Sequence, residues 1–311
     1  MVKWPKEFLQ FIEPDCDRLL FIQNYLSERG VKTAVVKTGG YSHICVVFPQ
    51  SCYTPFFRMK TVVAHYDRVA GTVGANDNSA AVFAIMNWVC RMNNPSIIHN
   101  VNVVFTDGEE AGGKSREGLV LDDVCANSGG IKNQGAYSLG KHWIRYGRTD
   151  DDIFVFDCCG RGTIPVLGKT VAPKNAGTQF KKNLGRLLQN AESVLRGAAA
   201  SQWITAPLPF SDNAGFIASG LAAVQITFLP VEEASAYMMD IVKILALEYF
   251  VVHKKPESGN ENEALALQQY LPKSWKMLHS NEDCLDSLTA ESFSLLSRIL
   301  DSIASFKPSC Q

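Results

Sequence analysis

No Cys-x-x-Cys pair occurs in this sequence, although it holds 9 cysteines. They are scattered: Cys16, Cys45, Cys52, Cys90, Cys125, Cys158, Cys159, Cys284 and Cys310. Thiolate zinc knuckles and thioredoxin-type chemistry therefore have no support. An excess of charge is missing too, since 30 Lys and Arg face 31 Asp and Glu for a net charge of -1. That balance makes no electrostatic case for a nucleic-acid or membrane-surface partner. No apolar run approaches the ~20 residues of a bilayer span. The most apolar stretch, 241–252, carries Lys243 and Glu248. The opening Met1-Val2-Lys3-Trp4-Pro5 has neither the basic region nor the long apolar core of a secretory signal. Free thiols in this number fit a reducing compartment, and a cytoplasmic protein is expected.

What the chain does have is a near-typical globular composition, with 46% hydrophobic and 20% charged residues over a length of 311. Residues 8–29 predict one or two helices stopped by Gly30. Strand-like runs follow at 32–37, 43–48 and 61–65, the first two joined by Gly39-Gly40. Asn78 and Ser79 are candidate N-caps for a helix over 80–92. The Val-rich run 101–106 and then 153–156 read as buried strands, and 222–228 as a further strand. Helices are expected at 138–146, 179–196, 234–252 and 291–306, with a polar break at 257–263. Residues 111–135 lose periodicity and read as a loop insertion, a candidate lid or rim. Strands alternating with helices, with no repeat and no linker, predict a single α/β domain over 1–311 with a largely parallel sheet.

Short polar motifs stand where the buried strands end, the place where such sheets gather their ligand-binding residues. The first is Ala64-His65-Tyr66-Asp67, in which a carboxylate can fix the tautomer of a metal-ligating imidazole. The second is Gly74-Ala75-Asn76-Asp77-Asn78-Ser79 at the mouth of a helix. The third is Asp107-Gly108-Glu109-Glu110, directly after the Val-rich strand. Two adjacent carboxylates at a buried strand end call for a compensating cation or proton. Asp157 closes a further strand, and His279 stands in Leu278-His279-Ser280-Asn281-Glu282-Asp283 before the last helix. His43, His99, His142 and His253 lack such context and read as structural or surface residues. Cys158 and Cys159 read as packing residues, because nitrogen and oxygen donors already suffice for the metal sites.

Taken in order, these motifs resemble the co-catalytic dizinc aminopeptidases, metallopeptidase family twenty-eight, which also contains the glutaminyl cyclases. The matching blocks are AHYD at 64–67, GANDNSA at 74–80, DGEEAGG at 107–113, Asp157, PFSDNAGF at 209–216 and LHSNEDCLDSL at 278–288. The resemblance implies a zinc-exopeptidase-like three-layer α/β/α sandwich around a mixed, mostly parallel sheet. It implies two zinc ions, one on His65 and Asp157, the other on Glu110 and His279, with Asp77 bridging them. Glu109 would be the general base and acid, and Asp67 the partner of His65. A cis peptide bond is implied after Asp77. Asp212, Asn213, Phe210 and Phe216 are candidate substrate contacts, although Asn213 and Gly215 stand where the family often has His and Pro.

The reading favoured is a zinc-dependent aminopeptidase acting on peptides with a free N-terminus. The alternative is a glutaminyl cyclase using one zinc on Asp77, Glu110 and His279. Against it, Leu278 replaces the tryptophan usual before the last histidine. A third reading is a non-catalytic binding module on the same fold, which the full set of ligands disfavours.

Overall fold

The computed structural model of the chain describes residues 3–110, 129–199, 202–253 and 255–309. Its frame is an eight-stranded sheet. The strands are β1 (Lys32–Thr38), β2 (Tyr41–Val47), β3 (Lys60–His65), β4 (Val101–Thr106), β5 (Asp152–Phe156), β6 (Ile164–Gly168), β7 (Ile204–Ala206) and β8 (Ala223–Leu229). They lie in the order β1-β2-β4-β3-β5-β8-β6-β7. The four central strands, β4, β3, β5 and β8, run parallel. The β1–β2, β2–β4 and β6–β8 pairings are antiparallel, and β6–β7 is parallel again. The sheet is thus mixed and mostly parallel, as expected.

The first six helices are α1 (Lys6–Phe11), α2 (Arg18–Ser27), α3 (Ala80–Met92), α4 (Gly129–Lys132), α5 (Gly135–Arg145) and α6 (Thr178–Ala199). The next six are α7 (Asp212–Ser219), α8 (Val231–Lys243), α9 (Leu245–His253), α10 (Glu261–Gln268), α11 (Lys273–Lys276) and α12 (Ala290–Ser305). Because successive strand residues point to opposite faces, each buried strand feeds two layers. Val62, Ala64, Phe154, Phe156, Val224, Ile226 and Phe228 pack with α1, α2, α3, α6 and α12. Val63, Ile153, Val155 and Ala223 pack on the other side with α5 and α7. A further apolar cluster joins Val166, Ala206 and Leu229 to α8, α9, α10 and Trp275.

Several expectations change in detail. The single helix expected over 234–252 is divided into α8 and α9 at Ile244, whose backbone is extended. Of the loop expected at 111–135, residues 111–128 lie outside the described residues, whereas 129–132 form α4 and Gly135 already opens α5. Strands β6 and β7 were not visible in the pattern, because β6 contains Pro165 and ends on Gly168 and β7 has only three residues. Among the described residues, no helix is long and apolar enough to cross a membrane.

Candidate metal centre and active site

The parallel register sets the site. His65, the last residue of β3, is level with Thr106, the last residue of β4. Asp157 directly follows Phe156 at the end of β5. The adjacent strands β4, β3 and β5 therefore deliver Glu109 and Glu110, His65 and Asp157 to one edge of the sheet.

Asp77 reaches the same edge from the wide turn Ala75–Ser79 that opens α3, and the Asp77–Asn78 peptide bond is cis. Gly74 begins this turn at φ 57°, and a Cβ there would collide with the Asp77 carbonyl oxygen. Neither proposed N-cap works as one. Ser79 has helical φ/ψ and gives its hydroxyl to the Gly74 carbonyl. Asn78 instead donates to the Phe156 carbonyl at 2.8 Å and accepts the Cys158 N–H at 3.3 Å. Its side chain ties the Asp77 turn to the end of β5, where Asp157 begins.

His279 arrives from the segment after α11 with a left-handed backbone, φ 62°. Four residues on, the Asp283 carboxylate accepts the N–H groups of Asn76 and Asp77 at 2.7 and 3.1 Å. Asp283 thus locks the His279 segment onto the Asp77 turn. Its role was missed in the sequence, where a carboxylate binding backbone amides looks like any other acidic residue of a loop.

Two donor sets result, His65 with Asp77 and Asp157, and Asp77 with Glu110 and His279. Asp77 belongs to both. One of its oxygens lies 3.2 Å from His65 Nε2 and the other 3.1 Å from His279 Nε2. His65 Nε2 is 3.4 Å from Asp157 Oδ1, and His279 Nε2 is 3.1 Å from Glu110 Oε1. Tetrahedral zinc with bonds of about 2.0–2.1 Å separates its ligand atoms by about 3.3 Å. The measured spacings match that edge. Glu110 Oε2 is buried and has no hydrogen-bond partner among the described residues, an acceptor that a cation would satisfy. The donor set therefore fits zinc, and both sets consist of the nitrogen and oxygen ligands zinc accepts.

Charge crowding shows in the titration of these groups. Burial raises Glu109 well above the ordinary carboxylate range, and Glu110, Asp157 and Asp77 add to the shift. Burial alone would lower His65, but its carboxylate partners Asp157, Asp67 and Asp77 raise it. Asp77 and Glu110 hold His279 at about 10. In such a cluster protons occupy the place of a cation, and metal binding displaces them.

Asp67 stands 3.5 Å from His65 Nδ1 and accepts the N–H groups of Glu109 and Glu110 at 3.3 and 2.9 Å. It couples the orientation of the imidazole to the position of the paired glutamates. Gly108, at φ 82°, makes that turn beside the Tyr41 ring, which a Cβ would strike. Glu109 is half-buried, its Oε1 3.4 Å from Gln134 Nε2.

A small cavity opens beside the donor sets, with Asp77, Glu109, Asp157 and His279 at one end. Cys158, Pro209, Phe210, Trp275 and Leu278 line its walls, and Gln225 and Thr227 also line it. Of the four expected substrate contacts, only Phe210 reaches this cavity. Phe216 is fully buried and stacks on Trp143 at 5.2 Å, so its ring belongs to the core between β3, β5 and α5. Asp212 is also fully buried, accepts the Thr106 hydroxyl, and is pushed by burial up to about 7. Asn213 is buried and accepts the Ser211 N–H at 3.2 Å. These three residues open α7 or sit within it, one layer behind the cavity. Cys158 was expected to pack; its thiol also donates to Asp157 Oδ1 at 3.2 Å.

Comparison with known proteins places this geometry in context. The family model for Peptidase family M28 matches residues 58–294. No curated protein matches the sequence. The fold is similar to that of the LapA aminopeptidase of Legionella pneumophila, at TM-score 0.58 and 11% identity over 96% of this chain and 69% of that one. It is similar also to a leucine aminopeptidase precursor of Bacteroides thetaiotaomicron, at 0.56 and 11% over 98% and 99%. A Zn-dependent exopeptidase of Parabacteroides distasonis aligns at 0.55 and 11% over 96% of each chain. At these identities the likeness is one of fold.

Proposed function

Because the chain belongs to peptidase family M28, and because Asp77 is shared by two separate donor sets, we propose that it is a zinc-dependent aminopeptidase. Its substrates are peptides with a free N-terminus. The shared aspartate is the observation that carries the reading, since one carboxylate with an imidazole on each oxygen is suited to bridge a pair of cations. His65, Asp77 and Asp157 would hold one ion, and Asp77, Glu110 and His279 the other.

Zinc bound there would supply Lewis acidity, polarising a carbonyl oxygen and lowering the pKa of water from about 15.7 towards about 7. The chain's own residues do the rest. Glu109 lines the cavity beside both sets, and in this reading it takes a proton from the attacking water and returns it to the leaving amine. Asp67 keeps the His65 imidazole and the Glu109–Glu110 turn in one arrangement. The acidic end of the cavity favours an α-ammonium group, which supports removal of N-terminal residues over internal cleavage.

Zinc-loaded protein is expected to carry two ions per chain and to release free amino acid from a peptide, leaving its N-acetylated form intact. Glu109→Gln should retain both ions while kcat falls roughly 10²–10⁴-fold. Turnover near that of the wild type would remove Glu109 from the chemistry. A glutaminyl cyclase is the competing reading, and it has a different product. One tightly held ion, with ammonia and a pyroglutamyl peptide formed from an N-terminal glutamine peptide, would establish it instead.

A further inference from the structure

β8 carries two polar side chains on a face where apolar ones are the rule. Along Ala223–Leu229, Val224, Ile226 and Phe228 enter the core against α3, α6 and α12. The alternate residues Gln225 and Thr227 point to the other face, between Ala223 and Leu229, each of which packs into an apolar cluster. Both are buried, Gln225 at 4% and Thr227 at 2% exposure, and both line the cavity next to the metal-binding residues.

The Gln225 carboxamide makes no hydrogen bond among the described residues. The residue is buried but its amide faces the cavity, so a ligand there can take up donors and acceptors that the protein leaves unused. Thr227 spends its one proton on the Cys158 carbonyl at 3.1 Å, so its oxygen faces a ligand only as an acceptor. Together the two present amide N–H donors and two acceptor oxygens. A primary carboxamide is the complement: its oxygen takes an N–H of Gln225, and its two N–H groups go to Gln225 Oε1 and Thr227 Oγ1. The walls suit a flat group, with Phe210 and Trp275 among them.

Size agrees. The cavity holds about 40 Å³, where one water needs roughly 10–15 Å³. The whole cavity, its acidic end included, is therefore small, and only a compact side chain reaches the wall formed by Gln225 and Thr227. Long basic side chains do not fit, and a carboxylate would meet acceptor oxygens beside Asp77, Glu109 and Asp157.

We propose that Gln225 and Thr227 recognise a carboxamide side chain at the substrate's N-terminus, asparagine or glutamine. The assignment deepens the aminopeptidase reading above and rests on it. An aliphatic residue leaves the Gln225 amide desolvated and unpaired, which should cost roughly 10- to 100-fold in kcat/KM.

The test compares zinc-loaded wild type, Gln225→Leu and Thr227→Val on asparaginyl, glutaminyl, leucyl and aspartyl reporter substrates, with melting temperature as the check on folding. Wild type should favour asparaginyl or glutaminyl over leucyl substrates roughly 10- to 100-fold. Gln225→Leu should abolish or reverse that ratio, and Thr227→Val should reduce it. Calorimetric binding of asparagine hydroxamate against leucine hydroxamate reads the same preference without turnover. Equal or greater activity on leucyl substrates in the wild type overturns the proposal while leaving the aminopeptidase reading intact. So does a preference that Gln225→Leu does not move. If no reporter is hydrolysed, the aminopeptidase reading fails and the hydroxamate ratio alone decides the selectivity.

Discussion

His43 enters the fold as a neutral imidazole. Its Nδ1 accepts the Asp107 N–H at 3.3 Å, so the ring proton sits on Nε2, 3.1 Å from Thr38 Oγ1. Burial, the main cause, lowers its pKa to about 4. The unfolded chain takes up a proton near the ordinary value of about 6.5, before the folded chain does. The neutral form therefore stabilises the fold fully above about pH 6.5, and this contribution is lost as pH falls from there through 4. Between pH 7 and 4.5 the loss should be on the order of 2–3 kcal/mol. Gln offers the same acceptor and donor without a charge. His43→Gln should flatten the pH dependence of unfolding free energy, measured by urea titration, by about that amount; parallel curves for the two proteins would refute the account. At this scale most site residues were legible, because His, Asp and Glu at strand ends carry their chemistry in their identity. Phe216 was not legible, since an aromatic ring reads alike in a pocket wall and in a core.

At the scale of elements, the N-terminal helices prove to serve the site. Arg18, in the first turn of α2, donates to the carbonyls of Tyr66, Asp67 and Val73 at 3.0, 3.5 and 3.3 Å. It also donates to Ser79 Oγ at 2.6 Å and lies over the Phe11 ring of α1. One buried guanidinium thus fastens both ends of the segment between His65 and Asp77, from a position outside the family-matched residues. Arg18→Met strands these acceptors and should destabilise the protein by about 2–4 kcal/mol. Looser placement of His65 and Asp77 should weaken zinc binding roughly 10–100-fold, the range seen when groups behind metal ligands are removed. Arg18→Lys keeps the charge but not the fork, and should recover only part of the loss. Zinc titration by calorimetry decides the point: unchanged affinity in Arg18→Met would make Arg18 a purely structural residue. In sequence, Arg18 is one basic residue on an amphipathic helix, and its partners lie 48 to 61 positions away.

For the molecule as a whole, the site joins parts that are distant along the chain. Asp283 binds the amides of Asn76 and Asp77, and His279 meets both Asp77 and Glu110. Zinc held at these positions would bind the folded chain without a comparable site in the unfolded one, and so would stabilise the fold. At a free concentration of 1,000 times Kd, one ion contributes about 4 kcal/mol. A chelator should lower the melting temperature by roughly 6 °C for each ion removed, and added zinc should restore it. A melting temperature indifferent to chelator and zinc would mean that the donor sets do not hold metal in solution.

The sequence alone determined the alternation of strands and helices, the mostly parallel sheet and which side chains are candidates for metal binding. Those properties are local: buried parallel strands are runs of apolar residues, and a ligand must be His, Asp or Glu wherever it lies. It did not determine β6, which contains Pro165 and ends on Gly168, or β7, which has only three residues, or the break at Ile244, which has no Gly or Pro to mark it. Only the tertiary structure decided that Asn78 ties two loops together instead of capping α3, and that Asp283 and Arg18 hold the site from behind. It also turned Gln225 and Thr227 towards the cavity and Phe216 towards the core. The reason is physical: burial and hydrogen-bond partnership belong to pairs of residues, and the pairs that shape this site are joined only when β3, β4, β5 and β8 lie side by side.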